Sequence, residues 1–552
     1  MRLPPGVSAT DFGAALRQFE QAVGRDWLFT SEEDLATYRD AYSPFRGEAE
    51  ERLVSAAVAP DSVEQVQQVV RIANRYRVPL YPISTGKNLG YGGSAPNLSG
   101  SVVVDLKRMN RVLEVDEKQA SCLVEPGVSY FDMYRHLQAG GSKLWLDVPD
   151  PGWGSLIGNA LDRGGGYTMP QFRNHFDAHC GMEIVLPSGE LMRTGMGAMP
   201  NAKTWQQYKS GFGPWIDGMF SQSNFGIVTK MGFWLMPEPE AYLKGTVYAP
   251  RMGDLDALVV EMTRLENSRI FNGFPDLSSP MLGAPAIADL EHLLAKGPPP
   301  IPPEHMALLM KGAPLAEMER YAQTSGTPFW SCSFTFYGPE AVVRAQWAHV
   351  QERMRSVIPN AGFRENSFVK LPLTEAQKET AHYTEFGIPS LKLFSAGARS
   401  AWNPTPSRGH MWFSPIIPRT AEAVLEISRV IREAAQRLGF PLVTGFTLPA
   451  GFWERAFVYV IGFSVGDDVA INKKNRASFR ELIRIAADRG WGEYRTSPAF
   501  QDDVMATYSF NDHALRRFHE TVKDAIDPNG ILSPGRYGIW PKRWRHLRGT
   551  SK

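Results

Sequence analysis

Residues 54–94 read VSAAVAPDSVEQVQQVVRIANRYRVPLYPISTGKNLGYGGS. The apolar run at 54–58 predicts a short strand. Residues 62–76 bring Val63, Val66, Val69, Val70 and Ile72 round at helical spacing, and Asp61 or Ser62 stands where a capping side chain is wanted. A second strand is expected over 78–83, and it runs into four glycines between Gly86 and Gly93. Further strands are expected at 100–106 and 120–124, then a helix over 129–137. Short strands alternating with helices predict a domain that mixes both, α/β or α+β.

Outward from that stretch, the chain has 552 residues, too many for one ordinary core, so two or more domains are expected. It is 43% hydrophobic and 21% charged, a globular composition. Its net charge of +1 argues against a dedicated nucleic-acid binder, which normally carries a basic excess. Fourteen Trp and 18 Tyr suit pockets for flat ligands. The cysteines Cys122, Cys180 and Cys332 stand singly, so neither a zinc ribbon nor a disulfide framework is expected, and a reducing compartment is. The opening MRLPPGVSATDF has no charged then apolar pattern of a signal peptide, so a cytoplasmic protein is expected. The longest apolar run, AFVYVIGFSV at 456–465, is far short of the ~20 residues of a membrane span and predicts a buried strand. Composition shifts after 226–237, GPPPIPP at 297–303 marks a loop, and a helix at 513–527 stops at Pro528-Asn529-Gly530.

Four stretches could carry chemistry. The glycine-rich loop 84–94 lets backbone N–H groups approach a phosphate closely, although alone it is the pattern of a surface loop. Residues 146–167, LDVPDPGWGSLIGNALDRGGGY, hold Asp150 between two prolines, ahead of Tyr167. Singly, Asp150 reads as a turn residue. His410, in GHMWFSP at 409–415, has no second His at ligand spacing, so no metal site is expected. Tyr494 and Arg495, in GEYRT at 492–496, could hold a phenolate or carboxylate, or form a plain surface pair.

Taken in order, these stretches resemble the vanillyl-alcohol oxidase/4-cresol methylhydroxylase family of FAD enzymes, most of all its vanillyl-alcohol and eugenol oxidase branch. The likeness runs from about residue 10 to 541 and includes VEPGV (124–128), GMEIVLPSGELMRTGMGA (181–198), GFGPWIDGMFSQSNFGIVTKMGFWLMP (211–237), WGEYRTSPAF (491–500) and DPNGILSPGRYGIWP (527–541). It implies an α+β FAD-binding domain from residues 1–242 plus 491–552, and an antiparallel-sheet cap from 243–490.

It further implies that Ser84, Thr85, Gly86, Lys87, Asn88, Leu89, Gly90, Tyr91, Gly92 and Ser94 wrap the FAD pyrophosphate, and that His410 bonds covalently to the flavin. One branch uses a tyrosine tether, but no Tyr lies between Tyr383 and Tyr459 here. Tyr91, Tyr494 and Arg495 match the trio that binds a phenol as its anion. Asp150 matches the acid beside flavin N5, and Tyr167 another active-site tyrosine. The implied reaction removes hydride from the α-carbon of a para-substituted phenol (4-alkylphenols, 4-hydroxybenzylic alcohols, eugenol-like allylphenols), giving a quinone methide. O₂ would reoxidise the flavin and yield H₂O₂. The alternatives are a dehydrogenase or hydroxylase of the same fold that passes electrons to a cytochrome, and a non-catalytic flavin or phenol binder. The short stretch at 199–209 implies a homodimer.

Overall fold

In a computed structural model, residues 2–40, 42–88, 90–149, 152–282, 302–380, 384–391, 409–440, 448–453 and 455–549 are described. The opening strand–helix–strand unit forms as the sequence predicts. Strand Ala56–Val58 leads to helix Val63–Tyr76, whose N-cap is Ser62, accepting from the Gln65 N–H, and then to strand Leu80–Ile83. Val63, Val66, Val69, Val70 and Ala73 are the buried residues of that helix, because helical spacing gathers them on one face. Strand Val102–Asp105 lies between these two strands, parallel to both. The two-residue strand Leu28–Phe29 completes a four-stranded sheet. Ile531 and Leu532, from the far end of the chain, join the core beneath it.

A second sheet is antiparallel and five-stranded, in the order Val112–Asp116, Ser121–Val124, Ile227–Trp234, His179–Val185, Leu191–Arg193. Helices Tyr130–Ala139 and Leu156–Leu161 contribute buried residues to its core. The expected mixture of helix and sheet is thus present as an α+β fold.

The middle of the chain builds a nine-stranded antiparallel sheet. Its long strands Ala241–Ala249, Trp330–Gly338 and Gly362–Lys370 lie side by side, and Ala456–Val465 is the buried strand expected from its apolar run. Strand Gly409–Phe413 pairs with that strand and sets His410 opposite Ser464. An edge strand, Gly492–Glu493, reaches in from the C-terminal segment and pairs with Pro415–Pro418. A buried ion cluster also joins the regions: Glu266, on helix Leu255–Asn267, receives Arg173 at 2.8 Å and also Arg419. No helix among the described residues is long and apolar enough to cross a membrane.

Candidate active site

A cavity of about 330 Å³ is lined by Ser84, Thr85, Gly86, Lys87, Asn88, Tyr91 and Gly92 from the glycine loop, and by Tyr167, His410, Tyr494 and Arg495. Residues expected at one site therefore share one wall, although more than 300 positions separate the first from the last. Gly90 and Ser94 support the loop. Gly90 has φ +81°, and a Cβ there would sit 2.9 Å from the His410 carbonyl oxygen and 3.0 Å from its ring Cδ2. Only glycine lets the loop run this close to the histidine. A side chain at Gly86 would strike the Ser94 hydroxyl. Leu89 and Asp150 lie outside the described residues; Pro149, next to Asp150, lines the cavity.

His410 is buried between Tyr42 and Trp412, its ring centre 5.0 Å and 4.4 Å from theirs. Burial pushes its imidazole down to about 3, so the ring is neutral at neutral pH. Its Nδ1 is buried with no hydrogen-bond partner among the described residues. A neutral imidazole on a cavity wall, with a buried unpaired nitrogen, suits attack on an electrophilic carbon of a bound group.

The guanidinium carbon of Arg495 lies 3.8 Å from the Tyr91 ring centre and 5.2 Å from that of Tyr494. Burial opposes its charge, but Tyr494, Tyr91 and Asp162 outweigh that and keep it protonated. Burial, then Tyr494, pushes the Tyr91 phenol far up, so it remains a neutral donor. The Tyr91 hydroxyl lies 3.0 Å from the Ser414 hydroxyl. Two phenol side chains and a guanidinium thus line the same cavity, and the Tyr91 and Tyr494 hydroxyls also interact with each other. Tyr167 packs edge-on against Phe274, ring centres 5.4 Å apart.

Sequence reasoning missed a second polar cluster on the wall. Arg536 donates to both carboxylate oxygens of Asp162, at 3.0 and 3.1 Å, and to the Tyr81 hydroxyl at 3.1 Å. Asn88 and Tyr537 also donate to Asp162. The block 527–541 had signalled kinship, but nothing local marked Arg536 as the partner of a carboxylate 374 positions away.

A sequence profile described as the FAD binding domain matches residues 54–195. The flavoprotein subunit of 4-cresol dehydrogenase (hydroxylating) from Pseudomonas putida is 30% identical, over 97% of each chain. A 1'-carboxy-chondrochloren decarboxylase from Chondromyces crocatus is 29% identical over 96% of this chain and 98% of its own. Among solved structures, 4-ethylphenol oxidase from Gulosibacter chungangensis, in complex with isoeugenol, superposes with TM-score 0.82 at 34% identity, covering 99% of this chain and 100% of that one. A substrate-bound p-cresol methylhydroxylase superposes with TM-score 0.81 at 30% identity, covering 98% and 99%. The chain belongs to the vanillyl-alcohol oxidase/4-cresol methylhydroxylase family of FAD-dependent oxidoreductases.

Proposed function

We propose that this enzyme oxidises para-substituted phenols at the carbon attached to the ring. The carrying observation is that Tyr91, Tyr494 and Arg495 share one cavity with the glycine loop and His410. The residues fit FAD. The loop backbone and the Asp162–Arg536 cluster would hold it, and the buried, unpaired Nδ1 leaves the His410 ring a nitrogen to spare for a covalent link. FAD supplies a hydride acceptor, which O₂ regenerates with release of H₂O₂.

The chain's residues prepare the substrate. The hydroxyls of Tyr91 and Tyr494 donate to the phenol oxygen and Arg495 supplies positive charge, so the phenol binds as its anion. Charge pushed to the para carbon weakens the α-C–H bond, and loss of hydride leaves a quinone methide. Asp150 stabilises that electron-poor species and takes a proton from attacking water. The reading divides the chain into a flavin-binding part, 1–242 with 491–552, and a cap, 243–490; two apolar cores lie wholly within the first part, while the large core of the cap also takes in Phe45, Ala241, Trp491, Ala499 and Phe500. A cytoplasmic homodimer completes the reading.

The test compares a 4-alkylphenol with its O-methyl ether. The ether has no acidic proton and is expected to leave the flavin oxidised under anaerobic conditions. Reduction by the ether at the rate of the phenol defeats the proposal. A second reading, electron transfer to a cytochrome, draws on the likeness to a dehydrogenase subunit. Slow reoxidation of photoreduced enzyme in air would favour it.

A further inference from the structure

Ser414 is fully buried at the junction between strands Gly409–Phe413 and Pro415–Pro418. Its backbone N–H donates to the Glu493 carboxyl group, at 3.0 Å to one oxygen and 3.2 Å to the other. Its side-chain hydroxyl lies 3.0 Å from that of Tyr91. Glu493 directly precedes Tyr494, and Pro415 is its register partner. One serine therefore touches both arms of the phenol-binding set.

A phenol hydroxyl carries one proton. If Tyr91 gives that proton to Ser414, none remains for a ligand. If Ser414 is the donor, the Tyr91 proton is left for its other neighbours, the Tyr494 hydroxyl and a ligand oxygen, and accepting a hydrogen bond makes Tyr91 the stronger donor. We infer that Ser414 is a positioning residue of this site: its hydroxyl donates to the Tyr91 oxygen and turns the Tyr91 proton toward the oxygen of the bound phenol, favouring the anion. The inference rests on the phenol-binding reading above.

The test uses holoenzyme and 4-nitrophenol, a phenol with no oxidisable α-carbon, whose anion has its own absorption band. Difference spectra across pH give the ionisation of the bound probe. The wild type is expected to bind the anion and to lower the probe's pKa. Ser414→Ala is expected to return that pKa toward the free value and weaken binding about 3- to 10-fold, the loss of one neutral hydrogen bond, with flavin content unchanged. Ser414→Thr, which keeps the hydroxyl, should restore both. If Ser414→Ala holds no flavin, Ser414→Cys takes its place, because a thiol is a weak donor of similar size. An alanine or cysteine variant that titrates like the wild type, while Tyr91→Phe does not, overturns the role of Ser414 and leaves the phenol reading standing. A wild type that fails to bind the anion overturns both.

Discussion

The guanidinium of Arg495 is stacked over the ring of Tyr91, with its carbon 3.8 Å from the ring centre. A flat cation on an aromatic face holds the ring in place while lending charge to the space beside it. Lysine has the charge but not the plane. Arg495→Lys is therefore expected to weaken binding of a para-alkylphenol by roughly tenfold, within the range of about 0.5–2 kcal/mol for a cation–π contact. Arg495→Ala should weaken it further. Ligand titration at constant flavin content measures both; a lysine variant that binds as the wild type does would show that stacking is irrelevant.

His410 makes a prediction about the attachment of the cofactor. Wild-type protein precipitated with acid should stay yellow, whereas His410→Ala should bind FAD and release it on denaturation. Colourless wild-type precipitate would exclude a covalent link.

The same residue predicts a pH dependence. Burial holds its imidazole at about 3 against an ordinary 6.5. Between those values the unfolded chain binds a proton at this position and the folded chain does not. Folding stability from this group is therefore full above about 6.5 and falls as pH drops toward 3, by up to ~1.4 kcal/mol per pH unit. Urea unfolding of flavin-free protein at several pH values should give a slope that His410→Gln flattens by nearly one proton. Equal slopes would contradict the burial argument.

Asp162 is buried and Arg536 nearly so, and the two form an ion pair lining the cavity. Arg536→Ala leaves the Asp162 carboxylate without its cation, a change that costs about 3–5 kcal/mol in buried pairs. The variant should lose thermal stability and retain less FAD after purification. Unchanged flavin content with lowered stability would make the pair structural only.

Glu266 is enclosed by two arginines, with side-chain exposure of 1% against 2% for Arg173 and 3% for Arg419. Glu266→Gln removes the buried carboxylate that the two arginines share, so a loss of roughly 3–5 kcal/mol is expected. Thermal unfolding tests it; a midpoint like that of the wild type would mean that water reaches the cluster.

Local patterns carried the sequence reading where a residue's neighbours along the chain decide its structure. The helix 62–76 was legible because its valines recur at helical spacing and a serine precedes them, and the strand 456–465 because it is apolar throughout. Tyr91, His410, Tyr494 and Arg495 were legible through resemblance, since nothing in composition brings together residues so far apart. Two features escaped. Ser414 meets Tyr91 across 323 positions, and Asp162 meets Arg536 across 374. Both are ordinary residue types whose meaning comes from sheet register and chain return. The edge strand Gly492–Glu493 was hidden for a related reason: two residues are too short for an alternating pattern to be seen.

Gly90 and His410 come from opposite ends of the assembly sequence, one from the first sheet's glycine loop and one from the last sheet to be synthesised. They meet with no room for a methyl group between them. If the loop holds the flavin as proposed, the histidine would reach it only after both parts have closed on each other. A bond made there would outlast any later unfolding, so each flavin-labelled chain on a denaturing gel would count a molecule that had once docked correctly. The labelled fraction would then serve as a census of successful assembly, readable even for variants too unstable to purify in folded form.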